Sequence, residues 1–269
     1  MKTLAFAGAL TCSLLAATAL SPVQAADMTH ERALNVGKEP HNWLLHHGNY
    51  EGWRFSQLKQ INADNVKNLR VAFTVALGGY ESGGRYKHGN LQATPIVEDG
   101  MMYVTDGWGS VYAIDVAGGK KGVIKWKFDP GTDRAWAGDV ACCGVNNRGV
   151  ALWKDKIISI SLDGRLFSLN KATGEMVWER KVADPAIAET LTLAPLVVRD
   201  LAIVGSAGGE FGIRGWIDAT AVGSGSRDVP DHSVACIAVR DGRRAADTDG
   251  SGGFGRGNSA IIPRAYGPD

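Results

Sequence analysis

Neither sign of charge is in excess in this chain: 29 lysines and arginines stand against 28 aspartates and glutamates, a formal net charge of +1. That balance removes the electrostatic footprint of a nucleic-acid binder or of a protein held on acidic membranes. Long apolar runs are absent after the first 25 residues, so no transmembrane segment is expected in a mature chain. Cysteine is scarce, with four in 269 residues. A dense disulfide framework is thereby excluded. What is abundant is glycine, 35 residues, together with eight tryptophans. Many turns and large aromatic packing units suit an all-β chain.

The scarce apolar run sits at the start. Lys2 precedes an apolar stretch from Leu4 to Leu20, and Val23-Gln24-Ala25 offers small residues at a cleavage position. Residues 1–25 read as a secretory signal peptide. A membrane anchor fits less well, because Thr11, Cys12, Ser13 and Thr18 interrupt the run and Pro22 closes it. Export to a periplasm is expected, a compartment where disulfides persist. Cleavage would leave Cys142, Cys143 and Cys236, an odd count.

Beyond the leader, short apolar strands alternate with turn residues. TPIVEDGMMYVTDGWGSVYAID (94–115) and GVALWKDKIISISLDGRLFSLN (149–170) follow one plan of strand, turn, strand, turn and strand. APLVVRDLAIVGSAGGEFGIRGWIDA (194–219) begins a third copy. The first two copies close with a Gly-containing turn followed by Trp126 or Trp178, roughly 52 residues apart, a period of repeat folds. The turn places each tryptophan on the next strand, where its face packs on a neighbouring unit. Four-stranded units in radial array make a β-propeller. A β-sandwich with coincidental tryptophan spacing is the alternative.

The third copy does not finish its pattern. After Thr220 no tryptophan, lysine or glutamate occurs, and Gly, Arg, Ala, Ser and Asp dominate. A change of composition in mid-repeat reads as translation out of frame, with a natural disordered tail as the alternative. Residues 221–269 are therefore set apart from 26–220. Asp247, Asp249 and Ser251 imitate a calcium loop there, but Asn258 stands where a bidentate glutamate is needed and helical flanks are missing.

DVACCGVNNRG (139–149) poses the sharpest question. Disulfides span Cα atoms about 4.4–6.8 Å apart, whereas consecutive Cα atoms lie only about 3.8 Å apart. A bond between Cys142 and Cys143 would be strained and would restrict the unfolded chain little. Two buried free thiols are the plainer reading of such a pair.

WRFSQLKQINADNVKNL (53–69), ACCGVNNRG, LTLAP (191–195) and GGEFGIRGW (208–216), with the two tryptophan repeats, resemble the N-terminal part of pyrroloquinoline quinone (PQQ)-dependent alcohol dehydrogenases of the methanol and ethanol type. The likeness runs from about Asn42 to Thr220. It implies an all-β fold, a partial β-propeller made of the first blades of an eight-bladed ring, with a short N-terminal helical segment and an irregular C-terminal tail. It implies PQQ and Ca²⁺, or a lanthanide, as cofactors, with a small primary alcohol as substrate and a cytochrome c as electron acceptor. Cys142 and Cys143 correspond to a strained disulfide ring that lies against one quinone face; strain kept at a functional site fits the distance argument.

The same resemblance assigns the other site residues. Arg148 and Thr192 correspond to cofactor contacts, a guanidinium and a hydroxyl suited to carboxylate and quinone oxygens. Gly208 and Gly209 fall where the backbone passes close to the cofactor. Gln92 stands where many relatives carry glutamate, so it brings an amide without charge. Ala207 stands where some carry a polar residue. Glu210 corresponds to a metal ligand, of the hard oxygen type that Ca²⁺ prefers.

The resemblance implies that the general-base aspartate and the remaining metal ligands lie beyond the third repeat, and the chain has no counterpart for them after Thr220. The chain is expected to be inactive alone, because a few blades leave strand edges uncovered. A periplasmic propeller scaffold without cofactor is the competing reading; it needs neither the cysteine pair nor Glu210.

Overall fold

The computed structural model describes residues 27–79, 89–134, 139–141 and 144–226, and the backbones of Ala235–Ile237 and Ile261–Pro263. The leader, Cys142, Cys143 and the calcium-like stretch 247–258 lie outside the described residues. In chain order come a one-turn helix α1 (His30–Leu34) and a short strand β1 (Gly89–Leu91). The first sheet is β2 (Ile96–Glu98), β3 (Met101–Thr105), β4 (Val111–Asp115) and β5 (Val123–Phe128). After β6 (Val145–Asn147), the second holds β7 (Ala151–Trp153), β8 (Lys156–Ile160), β9 (Arg165–Asn170) and β10 (Met176–Lys181). The third holds β11 (Leu196–Val198), β12 (Leu201–Gly205) and β13 (Ile217–Ala221), followed by β14 (Ala235–Ile237) and β15 (Ile261–Pro263).

Strands neighbour each other in sequence order within each of these three sheets, and all their pairs are antiparallel. Each sheet is thus an up-and-down blade. The local cause is turn chemistry: β2 and β3 join through Asp99 and Gly100 alone, at φ 49° and 81°, the left-handed pair that a two-residue hairpin needs. Asn170 closes the β9–β10 turn of the second blade, its Oδ1 accepting from the Ala172 and Thr173 amides at 2.9 and 3.1 Å. The third blade gains fourth and fifth strands from the tail. β13 meets β14 through one register pair, Ile217 with Ala235.

The blades stack through the two repeat tryptophans. Trp126 on β5 donates its indole N–H to the Lys171 carbonyl at 3.2 Å, and Trp178 on β10 donates to the Val222 carbonyl at 3.0 Å. Each ring lies on a glycine of the next blade: a Cβ on Gly174 would sit 2.6 Å from Trp126 Cε3, and one on Gly225 2.7 Å from Trp178 Cδ2. Phe128 meets Phe167 across the first junction with ring centroids 5.4 Å apart. Ile96, Val111, Ile157, Phe167 and Leu169 are fully buried in the core between these blades.

An N-terminal strap binds the inner edges. Trp43 pairs with Val97 of β2, and Met28 with Lys154 beside β7. Tyr50 donates its hydroxyl to the Val197 carbonyl of β11 at 2.7 Å, so the strap reaches all three blades. Its charged anchor is Glu98, whose side chain is 1% exposed and is held by Arg32 of α1 and by Lys171 Nζ at 2.6 Å. A carboxylate buried that deeply needs both cations.

Candidate functional site

The site begins where β1 and β6 run side by side. Their parallel register pairs Leu91 with Asn147, so Gln92 and Arg148 leave the ladder together. The Thr94 amide then donates to the Arg148 carbonyl at 3.1 Å. Asn147, 1% exposed, fixes the turn from inside. Its Oδ1 accepts from Thr105 Oγ1 at 2.8 Å and from the Gly149 amide at 2.9 Å, while Nδ2 donates to the Ile160 carbonyl at 2.9 Å. Every polar atom of that amide is therefore engaged. Gly149, at φ 125°, holds a conformation that side chains rarely adopt, and a Cβ would crowd the Thr94 carbonyl oxygen at 3.0 Å.

This rigid backbone presents an exposed guanidinium. Arg148 Nη1 donates to the carbonyl oxygen of Thr192 at 2.9 Å and to its Oγ1 at 2.8 Å. Two positions that the sequence separates by 44 residues are thus joined by one nitrogen. No partner among the described residues engages Nε or Nη2, which remain as donors. Thr190, two residues before Thr192, bridges to Ala207 by hydrogen bonds of 3.2 and 2.8 Å. That bridge brings in the Gly-rich loop.

Gly208 is buried at φ 117°, and a Cβ there would fall 2.1 Å from the Ala188 carbonyl oxygen, so only glycine fits. Gly209 faces open space, with nothing within 4 Å of its Cβ position. Glu210 follows in the short 3₁₀ turn Gly209–Phe211, exposed and unpaired among the described residues. Gln92 is also exposed.

His46 lies behind Arg148 and was not singled out in the sequence. Its Nδ1 is buried without a hydrogen bond, near Gly149, and its ring sits 4.3 Å from that of His47. Burial, followed by the positive neighbours His47, Arg54 and Arg148, pushes it down to about 4. Asn147 was likewise missed as the residue that positions Arg148. The signal available for it was the polar run Asn146-Asn147-Arg148-Gly149 directly ahead of an apolar strand.

The donor set fits an anionic, oxygen-rich planar cofactor with a hard cation. A guanidinium with free N–H groups, a hydroxyl and an amide serve carboxylate and quinone oxygens, and an uncommitted carboxylate serves a cation. The structure brings Gln92 beside Arg148, and Arg148 against Thr192; the loop of Gly208, Gly209 and Glu210 is tied to the same strand end. Among the described residues one further cluster has metal-ligand chemistry, Glu39, His41 and Asp99. Arg32 already binds Glu39 through two hydrogen bonds of 2.8 and 2.7 Å, which sets a cation there beforehand.

Comparison with known proteins gives the family. The model of the PQQ glucose/ethanol/alcohol dehydrogenase β-propeller domain matches residues 43–211. A lanthanide-dependent methanol dehydrogenase of Methylacidiphilum fumariolicum (strain SolV) is 38% identical over 226 residues, 82% of this chain and 35% of that protein. The 1-butanol dehydrogenase (cytochrome c) of Thauera butanivorans is 41% identical over 178 residues, 66% of this chain and 24% of that protein. Among solved structures, quinohemoprotein alcohol dehydrogenase ADHIIG from Pseudomonas putida HK5 superposes with a TM-score of 0.67 at 38% identity, over 75% of this chain and 28% of that one. The chain therefore spans about a quarter to a third of the length of these relatives. All three are dehydrogenases, which does not favour the scaffold reading.

Proposed function

The chain belongs to the PQQ-dependent alcohol dehydrogenase β-propeller family, and we propose from that premise that its blades supply one side of a quinone site for oxidation of primary alcohols. The observation that carries the reading is the exposed Arg148 guanidinium, fixed on Thr192 with donors to spare, five residues after the adjacent cysteines.

PQQ, when bound, supplies a two-electron oxidant, and a Ca²⁺ or lanthanide ion beside it supplies Lewis-acid polarisation. Arg148 would hold carboxylate or quinone oxygens through Nε and Nη2. Thr192, already an acceptor for Arg148, has its hydroxyl proton to donate. Gln92 would add an uncharged amide contact, while Gly208 and Gly209 let the backbone approach without side chains. Glu210 would ligate the cation. A Cys142–Cys143 disulfide would form the flat floor of the site.

In the full reaction electrons pass to a cytochrome c, and export by the 1–25 leader places the protein in the periplasm. Turnover of alcohol also needs a general base and further cation ligands, and none of the residues assigned to the site here supplies them. Among the described residues no helix is long and apolar enough to cross a membrane.

The test is intact-mass analysis of the exported chain before and after reduction. A gain of two hydrogens located at Cys142 and Cys143 is the expected result. Alkylation of both thiols without prior reduction would remove the floor of the site and with it this assignment.

A further inference from the structure

The strap does not lie flat on the blades it joins. Between it and the inner strands β7 and β11 is a cavity of about 170 Å³, partly open to the surface. Met28 and Ala33 beside and within α1, Leu44 of the strap, Val150 and Leu152 at β7 and Val197 of β11 form its apolar walls. None of these six is more than 8% exposed. Val150 and Leu152 stand two positions apart on an extended chain and so share a face.

One buried polar atom interrupts this surface. His46 lines the cavity, and its Nδ1 is buried with no hydrogen-bond partner among the described residues. The missing side chain of Gly149, whose Cβ would stand 3.9 Å from that nitrogen, leaves it without a packing neighbour on that side. The other imidazoles of the lining are already engaged. His47 Nδ1 accepts from Arg54 Nε at 3.0 Å, and His30 Nδ1 accepts from the Arg199 amide at 3.3 Å. Tyr50 gives its hydroxyl proton to the Val197 carbonyl, and Trp153 gives its indole N–H to Asp200 Oδ1 at 3.0 Å.

An unpaired buried polar atom is costly, and a molecule that pairs it gains accordingly. Buried water needs about 2–4 polar partners, whereas the buried side chains of this lining offer one. A hydroxyl on a short apolar chain suits the surface better. It both donates and accepts, so it pairs with Nδ1 in either tautomer of a neutral imidazole, while the chain lies on the aliphatic walls. An ionised group is disfavoured, because a neutral imidazole does not replace the hydration of a charge. A dry apolar cavity of about 150 Å³ holds a six-carbon ring, so this one has room for a chain of about four to six carbons. We propose that the strap cavity is a binding site for a short aliphatic primary alcohol, its hydroxyl on His46 Nδ1 and its chain between Leu44, Val150 and Val197. Occupancy ties the strap to β7 and β11 beside the Tyr50 bond, and it requires no quinone at Arg148.

The full chain, isotopically labelled at nitrogen and titrated with 1-butanol at neutral pH without PQQ, tests this through its imidazole resonances. The expected result is a saturable shift of the His46 Nδ1 resonance, larger than any shift at His30 or His47. 1-Chlorobutane, equal in heavy atoms but lacking the hydroxyl, separates the polar contact from apolar burial. His46→Phe is expected to lower the ratio of 1-butanol to 1-chlorobutane affinity about tenfold. The Nδ1 resonance of the unaltered chain decides the matter by itself should that variant fail to fold. No saturable shift at His46, as for a cavity that holds water only, a shift of equal size with 1-chlorobutane, or an unchanged ratio in His46→Phe would each overturn the assignment.

Discussion

Replacing Gly174 by alanine separates two costs that usually arrive together. Gly174 and Gly119 both occupy the left-handed region, at φ 77° and 62°. A Cβ costs roughly 1–2 kcal/mol at either place through backbone strain alone. At Gly119 nothing lies within 4 Å of that Cβ, whereas at Gly174 it would stand 2.6 Å from Trp126 Cε3 and 2.7 Å from Cδ2. The indole is braced by its hydrogen bond to the Lys171 carbonyl, so it retreats only by giving up that contact. Overpacking of this kind adds roughly 1–3 kcal/mol. Gly119→Ala is therefore expected to cost about 1–2 kcal/mol and Gly174→Ala about 2–5 kcal/mol. Urea unfolding followed by far-UV circular dichroism measures both. Adding Trp126→Ala removes the obstacle, so in that background Gly174→Ala falls to the cost of Gly119→Ala, a coupling of about 1–3 kcal/mol. Equal penalties in the parent chain, or an unchanged penalty without the indole, would refute the claim that the blades lock by seating tryptophan on glycine.

Glu98→Gln leaves Lys171 without its buried counter-charge, while Arg32 keeps Glu39, and is expected to destabilise by about 3 kcal/mol, read as a lowered urea midpoint. His46 titrates below its ordinary value of 6.5, at about 4 when folded. The unfolded chain binds the extra proton first, so stability is complete above about pH 6.5 and declines as pH falls towards 4. Partial solvent access limits this to about 1–2 kcal/mol, and His46→Phe should flatten the slope in that window. Arg148→Lys retains the charge but loses the planar fork. It should leave the unfolding midpoint unchanged and weaken PQQ binding by about tenfold in a completed ring, measured by quinone titration.

The blades were legible because their causes are local. Asp99-Gly100 and the Asn170 turn are made by residues within a few positions of one another, and the tryptophan follows its turn at fixed offset. The packing of Phe73 on Gly122 was not legible, since Phe73 lacks the indole that marks Trp126 and Trp178. It emerges only in the fold, where a Cβ on Gly122 would lie 3.0 Å from Phe73 Cε2. The strap was hidden for another reason. Trp43 with Val97, Met28 with Lys154 and Tyr50 with Val197 are long-range pairings that no periodicity encodes. The parallel pair β1 and β6 is likewise non-local. Arg148 and Thr192 were each identified by resemblance, but their direct hydrogen bonds came from the fold.

The energetics of that pair say why it is there. Arg148 is exposed, and an exposed hydrogen bond contributes only about 0.5–1.5 kcal/mol, while ordering an arginine side chain costs up to about 2 kcal/mol. The contact with Thr192 therefore adds little net stability. Its backbone support has the opposite character: Asn147 is buried with all its polar atoms engaged, Gly149 takes a backbone conformation that disfavours a side chain, and the Thr94 amide holds the Arg148 carbonyl. Buried interactions that stabilise strongly are thus arranged around an exposed cation that does not. A guanidinium held still at the head of the inner strands lowers the entropy lost when an anion docks on it, and under the proposed function that anion is a quinone bearing carboxylates.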